Sequence, residues 1–369
     1  MRRITNIFHN FIYLSLSFIA TTVFGYVFHA VVSRQLGPAV YAEFSVLYAL
    51  MIALSRPVNI LSGAVTRVAV TGRATGVAFE EIKSFSLRLG FLLALAVGLG
   101  PVILSPLISG FLKAGNLPIF ISVGLALFIW SFTGVLRGLF SSVEAFGVLS
   151  YTAAAELFIR AVCGIGLVLW GLKVFGAIAS SVFGASAVFI FLYAKRKYLI
   201  DAYNERLRQG APESGFKNIT AKVFFIALPV GFFLELDMLL AKRFFMPEDA
   251  GIYAAAALIG KGLLAFSMIA SAVVYPKLIE ERLNKKGLLA FLWGLGITVI
   301  LFISGYAFLK LFGKPAVGLL FGDKYHGVIE IVPVYAYSII PLAIHLQITN
   351  FKGAIGGWVE GAWLWLLLA

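Results

Sequence analysis

The chain has one cysteine, Cys163, in 369 residues. A lone thiol excludes an internal disulfide framework. Four histidines are scattered along the sequence, and no His/Cys cluster has metal-ligand spacing, so no metal site is expected. Charge is scarce as well: Asp, Glu, Lys and Arg make up 13% of the residues, against about a quarter in a soluble domain. The longest polar stretch runs from Lys195 to Lys222, too short to bury a core of its own. There is no phosphate-binding glycine loop, so no cofactor is expected. The short loops assigned to the outside lack the paired carboxylates of an acid/base centre, which argues against an enzyme. The outside cluster "FGDKYHG" (321–327) holds Asp323, Lys324 and His326, which read more simply as a solvated turn.

What is abundant is apolar. The composition is 61% hydrophobic and the mean hydropathy is +0.97, the signature of a polytopic membrane protein. A spanning helix needs about 20 mostly apolar residues. Ten such runs are expected at 11–33, 44–65, 87–109, 118–139, 147–172, 174–194, 223–241, 250–275, 288–312 and 328–348. An eleventh begins at "WVEGAWLWLLLA". The joins carry turn residues: "RQLGP", "KAGNLP", "EAFG", "MPEDAG", "FGKP". The apolar run after "MRRITNIFHN" is long for a signal peptide and has no clear cleavage site, so it reads as a retained first span.

The net charge of +13 is not the footprint of a nucleic-acid binder. Lys and Arg concentrate in alternate loops, most densely in Lys195, Arg196, Lys197, Arg206, Arg208, Lys217 and Lys222. That alternation places the N-terminus in the cytoplasm. The same basic loop divides the chain into an expected N-terminal lobe of six helices (1–196), a cytoplasmic linker (197–221) and a C-terminal lobe (222–369). An offset of 209 residues lays "RQLGPAVYAEFSVLYAL" (34–50) over "RFFMPEDAGIYAAAALI" (243–259). Arg34 falls on Arg243, Pro38 on Pro247, Ala42 on Gly251 and Phe44 on Tyr253. Two lobes repeated in the same orientation are expected from this register.

Three cations fall inside spans: Arg56, Arg160 and Lys261. Each is costly at mid-bilayer, by about 2.5–3.5 kcal/mol on insertion scales, and so should face protein or water. Lys261 shifted by the repeat lands on position 52, one helical turn from Arg56. Two cations on equivalent stripes would make a positive chamber for an anion. Arg160 follows Glu156 at i,i+4, so a self-neutralising structural pair is expected there. For Arg56 the structural partners to consider are Glu156, Glu235 and Asp237. Pro57 should bend the second span beside Arg56. Glu235 and Asp237 point to different faces; either serves cation or proton coupling, or pairs with Lys242 or Arg243. His29 and His345 read first as interior residues. A gating or coupling role is the alternative for Glu156, Pro57 and His29.

"SRQLGPAVYAEFSVLYALMIALSRPVNILSGAVTR" and "ELDMLLAKRFFMPEDAGIYAAAALIGKGLLAFSMIASAVVYPKL" resemble the second- and eighth-helix regions of Wzx-type polysaccharide flippases. These belong to the multidrug/oligosaccharidyl-lipid/polysaccharide (MOP) exporter superfamily. The resemblance implies an all-α membrane protein of two pseudo-repeated helical lobes around a V-shaped central cavity. It implies movement of a polyprenyl-phosphate- or diphosphate-linked oligosaccharide across the cytoplasmic membrane by alternating access. It also implies work alongside polysaccharide polymerases or glycosyltransferases. Arg56, Lys261 and Arg160 would then be the cavity cations that meet the substrate. Family members have twelve or more spans, so this chain is expected to lack the last helices of its second lobe. A cation-coupled drug exporter of the same superfamily is the nearest alternative, although span 1 has no Asp or Glu between 11 and 33. A membrane-embedded glycosyltransferase or polymerase acting on lipid-linked sugars is the alternative from another class.

Overall fold

The structure, a computed structural model, describes residues 2–74, 76–205, 233–281, 285–345 and 348. Its side chains are described for 13–73, 76–205, 233–264, 289, 291–345 and 348. Every regular element among these residues is helical. Six helices in this set are long and apolar enough to cross a membrane. Two of them, Tyr13–Arg73 and Phe146–Ala194, each contain two of the expected spans. The expected runs 223–241 and 250–275 fall partly outside the fully described residues. Most of the basic linker and the whole eleventh run lie outside them as well.

The chain forms two compact units, Met1–Leu36 with Glu43–Arg243, and Gly37–Ala42 with Phe244–Ala369. The first helix, α1 (Arg2–Ala74), breaks only at Gly37, whose φ of 71° belongs to the left-handed region that glycine tolerates. Pro38 then starts the second arm, where a missing N–H does no harm. Pro57 leaves the helical backbone dihedrals of that arm intact.

In the first unit α2 (Phe79–Ile103) and α3 (Ser105–Leu112) replace the single expected span 87–109. Next come α4 (Leu117–Ser142), α5 (Phe146–Leu167), a π turn (Val168–Leu172) and α6 (Lys173–Ala194). The short α7 (Arg196–Asn204) follows, and α8 (233–244) belongs to this unit as far as Arg243. Local signals place α4: Asn116 is its N-cap, its side chain accepting from Ile119 N–H at 3.3 Å, and Pro118 sits in the first turn.

α4 is the buried centre of this unit, packed on α2 and α6. Glycines set the approach. A Cβ on Gly98 would meet the Gly124 carbonyl at 3.1 Å. On its other flank, Gly134 and Gly138 form a G-x-x-x-G stripe against the second arm of α1. A Cβ on Gly134 would meet the Val58 carbonyl at 3.2 Å, and Thr66 Oγ1 donates to the Gly138 carbonyl at 3.0 Å. Gly184 of α6 lies against the Glu156 backbone in the same way, at 2.8 Å. These contacts bring Ser55, Asn59 and Ser62 opposite Arg137, and fix the turn of α5 that carries Glu156 and Arg160.

The second unit holds α9 (Pro247–Glu281), α10 (Lys285–Phe321), a 3₁₀ turn (Asp323–Tyr325) and α11 (Val328–Ser338). "FGKP" does not end a helix as expected. α10 runs through Pro315 to Phe321, and the turn comes at Gly322, φ 78°. Pro315 removes one backbone bond, while Gly322 can take the dihedrals that stop the helix. The Pro38 backbone packs directly on Gly251, where no side chain intervenes. Tyr41, Phe321 and Tyr325 form an aromatic cluster with ring centroids 5.4–6.3 Å apart.

Candidate functional site

Arg56 lies one turn inside the second arm from Ile52, next to Pro57. Its Nη2 approaches Glu235 Oε1 of α8 at 4.0 Å, with the two side chains 34% and 14% exposed. That distance is an ion-pair contact beyond hydrogen-bond range. Arg56 Nε is buried without a hydrogen-bond partner. Of the three acids considered for Arg56, Glu235 is thus the one at ion-pair distance. Lys242 of α8 turns to the loop before α4, its Nζ 3.5 Å from the Lys113 carbonyl, and the nearby Glu43 accepts from Gly115 N–H at 2.8 Å. Burial lowers the Lys242 pKa, partly offset by Glu43. Arg243 stacks over the Phe111 ring, 5.4 Å from its centroid. Lys242 therefore engages the α3–α4 loop, and Arg243 the last turn of α3. Asp237 sits two residues from Glu235 on the same helix.

The expected Glu156–Arg160 pair does not form. Glu156 Oε2 accepts from Arg137 Nη2 at 2.6 Å, and its Oε1 accepts from the Trp130 indole N–H. Arg160 turns the other way. Its guanidinium lies over the Tyr48 ring at 4.2 Å and near the Phe28 ring at 5.3 Å, and Nη1 donates to the Tyr48 hydroxyl at 3.0 Å. The reason is packing. α4 presents Trp130 and Arg137 on one flank of Glu156, while α1 presents an aromatic wall to Arg160. Helical i,i+4 spacing puts two Cα atoms on one face, but long side chains follow their tertiary neighbours. Arg160 is 4% exposed and its Nε has no hydrogen-bond partner. Cation–π contact and one hydroxyl compensate its charge. His29 belongs to the same wall, buried and set edge-on to Phe28 and Tyr48 at 5.7 and 5.4 Å.

A cavity of about 200 Å³ opens beside the Arg137–Glu156 pair. Ser55, Asn59, Ser62, Trp130, Arg137 and Glu156 supply its polar and aromatic lining, with Val58, Gly134, Ala153 and Leu157 as the apolar floor. Sequence reasoning missed Trp130, Arg137, Asn59 and Tyr48 as site residues. Two signals were available. Ser55, Asn59, Ser62 and Thr66 recur at helical spacing as one polar stripe in an apolar span. Arg137 lies inside "GVLRG", the small-residue motif at which a neighbouring helix must come close. In the second unit Lys261 is half-buried on α9, directly after Gly260, which packs on the Tyr335 ring. Among the described residues no group of His, Cys, Asp and Glu could hold a metal ion.

Comparison with known proteins gives the fold and the family. The chain is similar to an inward-facing multidrug resistance MATE transporter of the MOP superfamily, at 14% identity and a TM-score of 0.70. That match covers 94% of this chain and 84% of the other. The lipid II flippase MurJ in an inward closed conformation matches at 15% identity and TM-score 0.70, over 96% of this chain and 79% of MurJ. A MOP transporter from Pyrococcus furiosus, for which reverse polarity of the binding pocket suggests a different function, matches at 16% identity and TM-score 0.65. That match covers 97% of this chain and 84% of the other. No curated protein matches the chain. The helical architecture is that of MOP-superfamily transporters in a multi-pass membrane protein. The model of the polysaccharide biosynthesis protein family matches residues 7–281, three quarters of the sequence, and the chain belongs to that family.

Proposed function

We propose that the chain is a flippase that carries a polyprenyl-phosphate- or diphosphate-linked oligosaccharide across the cytoplasmic membrane by alternating access, with its N-terminus in the cytoplasm. The product feeds cell-surface polysaccharide or glycan synthesis, where polymerases and glycosyltransferases act on it. The observation that carries the reading is Arg56. A guanidinium within a spanning helix needs compensation, yet Glu235 meets it only at 4.0 Å and Nε has no partner. An arriving phosphate supplies what is missing: a planar guanidinium matches two phosphate oxygens at once. Lys261 supplies a second, point-like phosphate contact in this scheme. The phosphate competes with Glu235 for Arg56, and the released Glu235, with Asp237 on the same helix, takes up the coupling proton or cation. Arg160, closed in by Tyr48 and Phe28, holds a positioning role with His29. Pro57, whose missing N–H loosens the helix beside Arg56, eases the gating movement.

The test uses the full chain in proteoliposomes and a fluorescent polyprenyl-diphosphate sugar, whose inward–outward movement is read by chemical quenching. Arg56→Ala should slow movement about tenfold or more, the scale of one charge-assisted hydrogen bond at about 1.5–3 kcal/mol. Lys261→Ala should do the same, and Arg56→Lys should retain part of the rate. Wild-type rates in both alanine variants, with insertion unchanged, would end the proposal.

A further inference from the structure

We propose that the cavity between the second arm of α1, α4 and α5 is a monosaccharide subsite, which takes the first sugar ring attached to the lipid phosphate. The inference rests on the flippase reading and adds a second recognition element, separate from Arg56. Its chemistry is the argument. Arg137 and Glu156 face the cavity as a pair 2.6 Å apart, so their formal charges cancel. A neutral pair offers little to a diphosphate, which carries net negative charge. It offers much to a neutral polyol. Glu156 uses each carboxylate oxygen once, on Trp130 and Arg137, and each oxygen keeps a lone pair. Arg137 has five N–H donors and commits one to Glu156. Neighbouring hydroxyls of a pyranose present a donor and an acceptor side by side, the complement of such a pair.

The rest of the lining fits the same ligand. Ser55, Asn59 and Ser62 add hydroxyl and amide groups along one stripe of α1, and Trp130 gives an aromatic wall whose N–H is already fixed by Glu156. An aromatic face with a ring of hydrogen-bonding groups suits an amphipathic sugar, apolar on its C–H faces and polar at its rim. The volume, about 200 Å³, is below the ~300–1,000 Å³ of drug-sized pockets and holds one ring rather than a chain of sugars. Asn59 is exposed at the mouth, so the cavity is open rather than sealed. It lies toward the helix ends at residues 74, 142 and 146. In the orientation proposed above that is the cytoplasmic half, where lipid-linked sugar would be loaded. Arg56 is on the same arm, one turn from Asn59, close enough for one headgroup to reach both.

The experiment measures binding of the full chain in nanodiscs to polyprenyl diphosphate without sugar, and to the same lipid bearing glucose, galactose or N-acetylglucosamine. Wild type should bind at least one sugar-bearing lipid about tenfold more tightly than the bare lipid, the scale of one hydrogen bond to a charged group. Trp130→Phe keeps the ring and loses the N–H; Asn59→Ala trims an exposed side chain. Each should reduce that preference at least severalfold and leave bare-lipid affinity unchanged. Equal affinity of wild type for bare lipid and all three sugars overturns the subsite while the flippase reading stands. So does an equal loss for every lipid in both variants. Failure to bind any of the four lipids overturns the flippase reading itself.

Discussion

Glu156 stands between two arginines, and which of them it serves is measurable. The contact at 2.6 Å is with Arg137, while Arg160 is held by Tyr48 and Phe28. Glu156 is nearly buried, its side chain 7% exposed, but Arg137 is 29% exposed. At an effective dielectric of about 20, two charges 4 Å apart attract by about 4 kcal/mol. Solvent at the Arg137 end screens this, and both groups lose hydration, so the measurable coupling should be about 1–3 kcal/mol. A double-mutant cycle of Glu156→Gln with Arg137→Gln, read by unfolding in mixed detergent micelles, should return that value. The parallel cycle of Glu156→Gln with Arg160→Gln should return at most about half of it, because no direct ion pair links them. Glu156→Gln alone should destabilise more than Arg160→Gln does, since it leaves Arg137 uncompensated and weakens the acceptor for Trp130. Coupling to Arg160 equal to or above that to Arg137 would refute the assignment, and with it the neutral-pair argument for the cavity.

Two further outcomes test the packing of the first unit. Gly124→Ala should lower stability by about 1–3 kcal/mol, because the added methyl group runs into the Gly98 backbone of α2, which cannot rotate away as a side chain would. Gly100→Ala, with nothing within 4 Å of its Cβ, should be neutral or stabilising by up to about 1 kcal/mol; thermal unfolding of the two variants in one detergent checks the contrast. At the polar end of the unit, burial pushes the Tyr203 phenol up to about 12, against a lowering by Arg73, and its hydroxyl donates to the Val77 carbonyl at 3.2 Å. A pKa raised from 10.0 in the fold means stability that is intact below pH 10 and falls as pH rises toward about 12. Tyr203→Phe should flatten that part of the pH–stability curve relative to wild type; an unchanged slope would count against the buried phenol.

The sequence spoke clearly where structure is local. Apolar length marked the spans. "RQLGP" marked the break at Gly37, because a glycine before a proline combines a free φ with a residue that cannot continue a hydrogen-bond ladder. "KAGNLP" marked the N-cap at Asn116, and "MPEDAG" the start of α9 with Pro247, Glu248 and Asp249 in its first turn. Where two local rules competed, reading by rule failed. Pro315 looked like a terminator, but α10 passes through it to Gly322. Span 87–109 looked continuous, but divides at Leu104 between Pro101 and Pro106. The charged site was least legible, and the cause is general. The favourable Glu156–Arg160 spacing is a statement about an isolated helix, where i,i+4 attraction is worth about 0.2–0.5 kcal/mol. In the folded unit Glu156 has access to a guanidinium and an indole donor on α4, and Arg160 to two aromatic rings and a hydroxyl on α1. Either set outweighs the intrahelical pair. What decides the outcome is that Gly134, Gly138 and Gly184 let α1, α4, α5 and α6 come close enough for those neighbours to reach. The glycines that read only as generic packing residues thus select the partner of each buried charge, and through it the charge balance of the cavity.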